Sequence, residues 1–477
     1  MKISLIATRV ALAGLVLAVG ACDEGLTEVN QDPNAPTDVG AQFILPQAIR
    51  SAVEQTFGGG QMLSHTAIWP QQGVQLQYPD EEEGFVRASR MQGYWNNYYA
   101  GSLADLQVVI DKGAENGNGN IQGVGMIWQS WVFHLVTDYW GDVPYSQALK
   151  AGEGITLPVY DPQEQIYEGM IQTLSDGAGM LGGGSDFGSG DILYGNDMTK
   201  WRRFANSLRM RLAMRMSEVS PGAAQSAFAA AYAAGGFQSN ADNAMLQWAG
   251  APYQNPLFEN WQGRDDHGVS ATIIDMLKAM NDPRLELYAE PAQEDGEYRG
   301  LQNGDITPNF SLAFYSRIGN NWRADGAATP TAIMTYAEVL LLQAEAAARG
   351  WIGADPATLY MDGIRASMTQ WSGAANAPTT AEIDAYLAQP MIAYTGMEQA
   401  QLQNWIGLFM NGAEAWSHWR RTGVPDLQPG PDLTLSRIPV RFTYPALEQS
   451  LNKSNYDAAV ARQGADVLTT TVWWQTN

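Results

Sequence analysis

The stretch of sequence that decides the fold is 331–371, TAIMTYAEVLLLQAEAAARGWIGADPATLYMDGIRASMTQW. Apolar side chains recur in its first half at three- and four-residue spacing until Gly350, at Ile333, Ala337, Leu340, Leu341, Ala344 and Ala348. Asp355 and Pro356 form a helix start signal, and a second apolar stripe follows at Tyr360, Ile364, Met368 and Trp371. Apolar positions at this spacing share one face of an α-helix. The stretch therefore predicts two amphipathic helices joined by a short turn, a hairpin of the tetratricopeptide kind.

The same helical spacing recurs on both sides of this hairpin, in 95–110, 124–139, 201–212 and 402–416. No strict sequence repeat accompanies it, so an array of hairpins is predicted from helix pairing alone. Strand signals are sparse, and long glycine-rich loops fall at 113–123, 176–199, 250–268 and 286–330. We predict a mainly α fold of tetratricopeptide-like hairpins, with the long irregular loops forming a ligand-binding lobe.

The N-terminus has the layout of a lipoprotein export signal. Two basic residues precede an uncharged, mostly apolar run at 10–21, which is too short to span a bilayer. The run ends in Val-Gly-Ala before Cys22, the only cysteine of the 477 residues. We predict a signal peptide at 1–21, a lipidated Cys22 with a tether over 22–40, and a binding domain at 41–477. The alternative is an ordinary secretory signal with a chance cysteine at its end.

Composition limits the class of partner. The chain has 50 acidic and 27 basic side chains, a formal net charge of −23. So acidic a surface repels phosphate backbones, which argues against a nucleic-acid partner. Apolar residues make up 45% of the chain and aromatic residues 10%, which indicates a packed globule with many rings available for a ligand site.

No catalytic pattern is recognisable. The four histidines are far apart in sequence and form no H-E-x-x-H helix, and neither a G-x-S-x-G elbow nor a phosphate loop is present. Paired carboxylates for glycoside hydrolysis remain open, because sequence spacing cannot show which acids converge. The glycine-rich segment 182–191 is faintly similar to calcium-binding repeats, but it lacks their register and is interpreted as a flexible loop. We predict no metal and no cofactor, and leave a loop-bound calcium ion open.

Five arginines are concentrated at 202–215 in an otherwise acidic chain. They could bind an anion, or they could pair with carboxylates of neighbouring helices and fix how the hairpins stack. We favour the pairing interpretation. Arg420 and Arg421 are interpreted in the same way, with stacking on tryptophan rings in addition.

Ordered segments along the chain resemble a known family. They are NQDPN at 30–34, TDYWGDVPY at 137–145, KWRRFANSL at 200–208, NDPRL at 281–285, TYAEV at 335–339, WSHWRRTG at 416–423, IPVR at 438–441 and VWW at 472–474. In this order, behind a lipidation motif, the chain resembles the SusD/RagB-like nutrient-binding outer-membrane lipoproteins, particularly their second large branch.

The resemblance implies a helical body of four tetratricopeptide-like hairpins and a less regular lobe that bears the ligand site. It implies a non-enzymatic lipoprotein on the outside of the outer membrane, which captures an oligosaccharide or peptide and passes it to a TonB-dependent (SusC-like) transporter. Two alternatives stay open. One is a structural or assembly lipoprotein that binds only other proteins. The other is a lipid-anchored glycan hydrolase, which would need two convergent carboxylates in the 250–325 loops and would be tested by changing Asp265 and Asp266 to Asn.

Three aromatic loops outside the helical stripes are candidates for the ligand site: 69–80, 258–266 and 314–323. Aromatic faces hold the C–H surfaces of a sugar, and neighbouring polar side chains bind its hydroxyls. We predict ligand contact by Trp69, Tyr78, Trp261, Asp265, Tyr315 and Trp322.

Overall fold

The structure, a computed structural model, describes residues 38–306 and 311–476. The predicted lipid acceptor Cys22 and signal peptide lie outside these residues. Helices account for most of the regular structure, which confirms the predicted mainly α class. None of the described helices is long and apolar enough to cross a membrane.

The α-helices are, in chain order, α1 Ala41–Phe57, α2 Ala88–Asn96, α3 Ala104–Glu115, α4 Gly119–Trp140, α5 Gln163–Met180, α6 Met198–Arg215, α7 Pro221–Ala234, α8 Pro256–Gly263, α9 Ala271–Ala279, α10 Leu285–Tyr288, α11 Tyr336–Ala348, α12 Pro356–Thr369, α13 Thr380–Leu387, α14 Met397–Gly407, α15 Gly412–Thr422, α16 Ala446–Leu451 and α17 Lys453–Gln463. The short strands are β1 Gly73–Gln75, β2 Ala244–Leu246, β3 His267–Val269, β4 Ala289–Glu290, β5 Arg317–Ile318 and β6 Thr331–Met334. Met62–Thr66 and Asn97–Leu103 are π-helical.

The predicted hairpin is present as α11 and α12, which pack against each other. Ile333, assigned to the first helical stripe, lies instead in β6, and Trp371 follows the end of α12. The Thr335 hydroxyl caps α11 by accepting from the backbone N–H of Glu338 at 3.3 Å. The Asp355 carboxylate caps α12 by accepting from the backbone N–H of Thr358 at 3.0 Å. Each cap satisfies a backbone donor that a helix start would leave unpaired.

Further helices stack in chain order beside this hairpin. Helices α3 to α7 each pack on the next, and α6 packs on α11, which also contacts α14. Small residues allow the close approach: a Cβ at Gly123 of α4 would lie 2.6 Å from the carbonyl oxygen of Gly177 in α5. The stack is the predicted tetratricopeptide-like array.

Buried ion pairs hold the stacked helices together. Arg211 of α6 binds both carboxylate oxygens of Glu338 in α11 at 2.6 and 2.7 Å. Arg215, one turn later, donates to Glu414 of α15 at 2.7 and 2.8 Å. The guanidinium of Arg420 lies 3.8 Å from the centroid of the Trp416 ring. The pairing interpretation is therefore confirmed for Arg211 and Arg215, and also for Arg203 with Asp242 and Arg421 with Glu345. It is wrong for Arg202 and Arg420, which donate to backbone carbonyls, and for Arg209, which donates to Asn206.

The less regular lobe is joined by short antiparallel strand pairs, β1 with β3, β2 with β6, and β4 with β5. The glycine-rich segment before α6 is organised by Asp191, whose carboxylate accepts from three backbone N–H groups and from the indole of Trp201. Among the described residues, no group of three or more His, Cys, Asp or Glu is arranged to hold a metal ion.

A segment near the C-terminus completes the helical core. Trp474 is fully buried, and its indole N–H donates to the Asp138 carboxylate of α4 at 3.0 Å. The Arg215 and Arg420 guanidiniums lie 5.2 and 4.8 Å from its ring centroid. Helices α4, α6 and α15 therefore meet around a side chain that comes after all of them in sequence.

Candidate ligand-binding pocket

The pairing of β1 with β3 brings the first and second predicted ligand loops together. Gln75 lies opposite His267 in this ladder. The two loops border a cavity of about 420 Å³, which is also lined by Gly59 and Gly60 after α1, by Arg87 and Arg90 at the start of α2, and by Asn260 of α8. This volume falls in the range of small-molecule sites.

Tyr78 is the main exposed ring of the cavity. Its side chain is 65% exposed, and its backbone has φ of 56°, in the left-handed region that few non-glycine residues adopt. The guanidinium of Arg264 lies 4.5 Å from the ring centroid and is paired with Asp266 at 2.5 Å. The Tyr78 ring is thus exposed to solvent beside an ion pair. Left-handed backbone conformations of non-glycine residues are common at ligand-binding sites.

The charges that line the cavity are largely matched. Glu81 lies 3.3 Å from Arg87 and 3.1 Å from Arg90, and it also accepts from the side chain of Gln75 at 2.8 Å. Arg87 pairs in addition with Asp80. Burial lowers the pKa of His267 to about 4, so this imidazole is neutral at pH 7. The cavity offers many hydrogen-bonding groups without a large excess of either charge.

Two further predicted residues lie close to the cavity on the segment that follows Asn255. Trp261 of α8 is half-buried against the core, and its indole N–H has no hydrogen-bond partner among the described residues. Asp265 binds Arg317 at 3.0 Å and Arg323 at 2.7 Å, tying the second loop to the third. Burial would raise the pKa of Asp265, but the two arginines outweigh it and lower that pKa. Asp265 therefore positions the loops.

The other three predicted aromatic residues do not line this cavity. Trp69 is 2% exposed and packs on Trp416 at 4.7 Å between ring centroids. Trp322 is also 2% exposed, and Tyr315 is buried in a small cluster with three aliphatic residues, Val74, Leu76 and Leu301. These rings are enclosed by other side chains. Of the six predicted residues only Tyr78 lines the cavity, while Trp261 and Asp265 are sequence neighbours of the lining residues Asn260, Arg264 and Asp266.

Sequence reasoning missed the other charged residues that line the cavity beside Tyr78. Arg87, Arg90 and Glu81 follow it within twelve residues, and this charged segment was the available signal. The three consecutive glycines at 58–60 were a second signal, since such a run indicates a close approach of two segments. In the structure, a Cβ at Gly59 would lie 2.2 Å from the side-chain oxygen of Asn260. A larger residue at position 59 would displace Asn260 from the cavity wall.

A buried acid with a raised pKa lies near these loops but serves the fold. Glu82 is 4% exposed, and burial raises its pKa to about 7. Its carboxylate accepts from the backbone N–H groups of Gln75 at 3.1 Å and Gly304 at 2.9 Å, and from the side chain of Asn303. Fully enclosed by these donors, Glu82 joins β1 to the segment around residue 303 and is out of reach of a ligand.

Comparison with known proteins places this chain in a family. Residues 33–445 match the family model SusD-like_2, described as "Starch-binding associating with outer membrane". The chain belongs to the SusD-like family. The resemblance predicted from the ordered segments is confirmed. No curated protein matches this SusD-like chain.

Solved structures agree with that assignment over most of the chain. A chitin-binding protein superposes on this SusD-like protein with a TM-score of 0.82 and 30% identity, covering 92% of this chain and 100% of its own. A chitin-binding SusD homologue from Flavobacterium johnsoniae gives 0.80 and 25%, covering 92% and 98% respectively. A SusD homologue from Bacteroides fragilis, 22% identical with a TM-score of 0.77, covers 91% of this chain and 100% of its own and shares the fold.

Proposed function

We propose that this SusD-like protein binds an oligosaccharide in the cavity beside Tyr78 and passes it to a TonB-dependent outer-membrane transporter. The observation that carries the proposal is the exposed Tyr78 ring, which borders the cavity with Arg264 alongside. An aromatic face packs on the C–H surface of a sugar ring, and the surrounding amide and ionic groups bind its hydroxyls.

The charge balance of the site favours a neutral glycan. The arginines of the cavity face Asp80, Glu81 and Asp266, so a uronate or phosphate would have to compete with carboxylates already in place. The net charge of −23 adds a general repulsion of anions. The family description and the printed names of two similar structures, both chitin-binding, support a glycan over a peptide.

The site is a binding site and not a hydrolytic one. A glycosidase needs a carboxylic acid whose raised pKa keeps it protonated near neutral pH. Asp265 has the opposite shift because Arg317 and Arg323 bind it, and Asp266 is paired with Arg264. Asp265 is therefore not held in the protonated form that a leaving group requires.

Delivery of the glycan to a transporter requires that the protein be attached to the outer membrane. The family description and the motif before Cys22 support this attachment. We assign the anchor to acyl chains on Cys22, with residues 22–40 as the tether and the binding domain on the extracellular side. The partner is a SusC-like barrel transporter. Cys22→Ser should release the protein from membranes, and barrel and lipoprotein should co-purify from detergent extracts of wild-type cells. Retention of the Cys22→Ser variant in the membrane would contradict the anchor.

Ligand binding is tested by isothermal titration with a panel of neutral oligosaccharides and neutral peptides. Tyr78→Asn is the variant of choice, because asparagine tolerates a positive φ. It should weaken glycan binding about tenfold, corresponding to ~1.4 kcal/mol of lost ring contact. Tyr232→Asn, which removes an exposed ring from α7, is the matched control and should bind as wild type.

Reducing ends are measured on the same mixtures, and no new ones should appear. Turnover of the glycan would refute a pure binding role. Equal binding by the Tyr78→Asn variant and wild type would refute this cavity as the site. If no glycan or peptide in the panel binds, the alternative of a lipoprotein that contacts only proteins is supported.

A further inference from the structure

A second cavity, larger than the one beside Tyr78, is lined by a loop that contacts the N-terminal end of α8. It has a volume of about 560 Å³ and is lined by the 320–330 loop and by the segment that follows α12. Leu287, Pro330 and Trp371 form apolar parts of its wall, and Trp371 packs edge-on against Trp322 at 5.2 Å. The buried Trp322 of the third predicted loop thus supports this wall.

The polar wall of the second cavity is rich in amides and carries no basic side chain. Besides the Thr329 hydroxyl, which donates to the carbonyl of Asn321, it consists of the side chains of Asn320, Asn321, Asp325, Gln370 and Asn376. Among the residues that the structure describes, the side chains of these five form no hydrogen bond with one another or with a neighbour. The second cavity therefore differs from the first: its amide groups are not hydrogen-bonded to other side chains, whereas the charged groups of the first cavity bind each other.

Two of these amides have a buried polar atom that the described residues leave without a partner. The side-chain nitrogen of Asn321 and the side-chain oxygen of Gln370 are buried without a hydrogen-bond partner among the described residues. An unpaired buried polar atom is unfavourable, and most protein structures avoid it. The terminal torsion of Asn and Gln is broad, so each amide can turn to meet a ligand that supplies the missing partner.

Helix α8 connects the two cavities. Asn260 of α8 and Arg264, directly after it, line the first cavity. At the other end of α8, the backbone N–H of Asn255 donates to the carbonyl of Ala327 at 3.0 Å, within the loop that lines the second cavity. The eight residues of α8 span about 12 Å along the helix axis, so we expect only a chain of several sugars to reach from one end of the helix to the other.

We propose that the second cavity is a subsite for the same neutral glycan, so that the protein selects a chain long enough to reach both ends of α8. This inference rests on the proposed glycan-binding function and adds to it a ligand length and a second contact surface. Amides donate to and accept from sugar hydroxyls or acetamido groups, and the absence of a basic side chain from the wall disfavours an anionic ligand. A peptide is the competing occupant.

The test blocks the second cavity by bulk without altering the core. Ala375 is an exposed residue of its lining, and Ala375→Trp fills it. Ala223→Trp, at an exposed alanine of α7, is the matched control. The probes are a disaccharide and a hexasaccharide of N-acetylglucosamine, titrated calorimetrically against each variant. Thermal melting of both variants checks that they fold.

The expected result is a loss of hexasaccharide affinity of about tenfold for Ala375→Trp, with disaccharide affinity unchanged and Ala223→Trp equal to wild type. Gln370→Ala should weaken the hexasaccharide alone in the same way. Unchanged hexasaccharide binding by Ala375→Trp overturns the second subsite and leaves the first intact. If wild type binds neither sugar, the result contradicts the proposed function and therefore also the second subsite, which depends on it. A neutral peptide whose binding Ala375→Trp abolishes would overturn the glycan assignment of this cavity.

Discussion

The ion pair between Glu345 of α11 and Arg421 of α15 should make part of the protein's stability depend on pH in the acid range. Both side chains are 2% exposed. The Arg421 guanidinium donates to both oxygens of the Glu345 carboxylate at 2.7 Å, and Arg349 donates to the same carboxylate at 3.0 Å. Burial alone would raise the pKa of Glu345, but these arginines outweigh it and lower that pKa from 4.5 to about 2.

The sign and size of the effect follow from that difference. A carboxyl whose pKa is lower in the folded state contributes stability that is fully present above pH 4.5 and is lost as the pH falls towards 2. At about 1.4 kcal/mol for each unit of pKa difference, the whole contribution is about 3 kcal/mol. About 2 kcal/mol of it should be gone at pH 3, because unfolded chains bind the proton from pH 4.5 downward.

The assay compares urea unfolding of wild type and Glu345→Gln at pH 7 and pH 3. At pH 7 the variant should be less stable by about 3–5 kcal/mol, because a buried guanidinium loses its carboxylate. At pH 3 this deficit should be about 2 kcal/mol smaller, because wild type has by then lost part of the same interaction. Glu153→Gln, at an exposed position, should match wild type at both values. An equal deficit at pH 7 and pH 3, or one below about 1 kcal/mol at pH 7, would refute the reasoning.

Three further predictions concern contacts described above. Asp265→Asn should lower the free energy of unfolding by about 1–2 kcal/mol in urea titrations and weaken glycan binding, because both the second and third loops lose an anchor; unchanged binding would show that these loops do not position the site. Asp191→Ala should lower the free energy of unfolding by about 3 kcal/mol, since four N–H donors lose their acceptor. The melting temperature of wild type should not respond to calcium or EDTA. A calcium-dependent shift would contradict our interpretation of this loop as one without a metal ion. Gly123→Ala should lower the free energy of unfolding by about 1–3 kcal/mol, because the added methyl group pushes α4 away from α5. Gly179→Ala, in open space on α5, should be neutral or stabilising by about 0.5–1 kcal/mol, and equal losses for the two glycine variants would contradict the close helix contact.

The helical array was predictable because its signals are local. The stripe ending at Gly350 and the start signal at Asp355 lie within a few turns of the helices they define, and the structure places α11 and α12 there. Arg211 and Arg215 were also interpretable, since arginines on apolar helix faces in an acidic chain need carboxylates nearby. Which carboxylates they meet, Glu338 and Glu414, is a product of stacking and not of sequence spacing.

The candidate site was predictable as a region and less so by residue. Tyr78 and Trp69 stand in the same aromatic loop, and nothing in their neighbourhood distinguishes an exposed ring from a core ring. Trp69 is enclosed because Trp416, far along the chain, packs on it. Asp265 lies in a loop rich in candidate contacts, but its two arginines come from a segment more than fifty residues later. Such long-range partners decide burial and pKa, and local patterns do not contain them.

The burial of Trp474 has a consequence for the order in which the molecule matures. Its bond to Asp138 joins residues 336 positions apart, so the helices around it cannot reach their final arrangement as they leave the ribosome. Contacts between such distant residues form late, because a long loop must close first. A polypeptide of this kind stays incompletely packed around Asp138 until residue 474 has been synthesised, which suits a chain with the export signal predicted at 1–21.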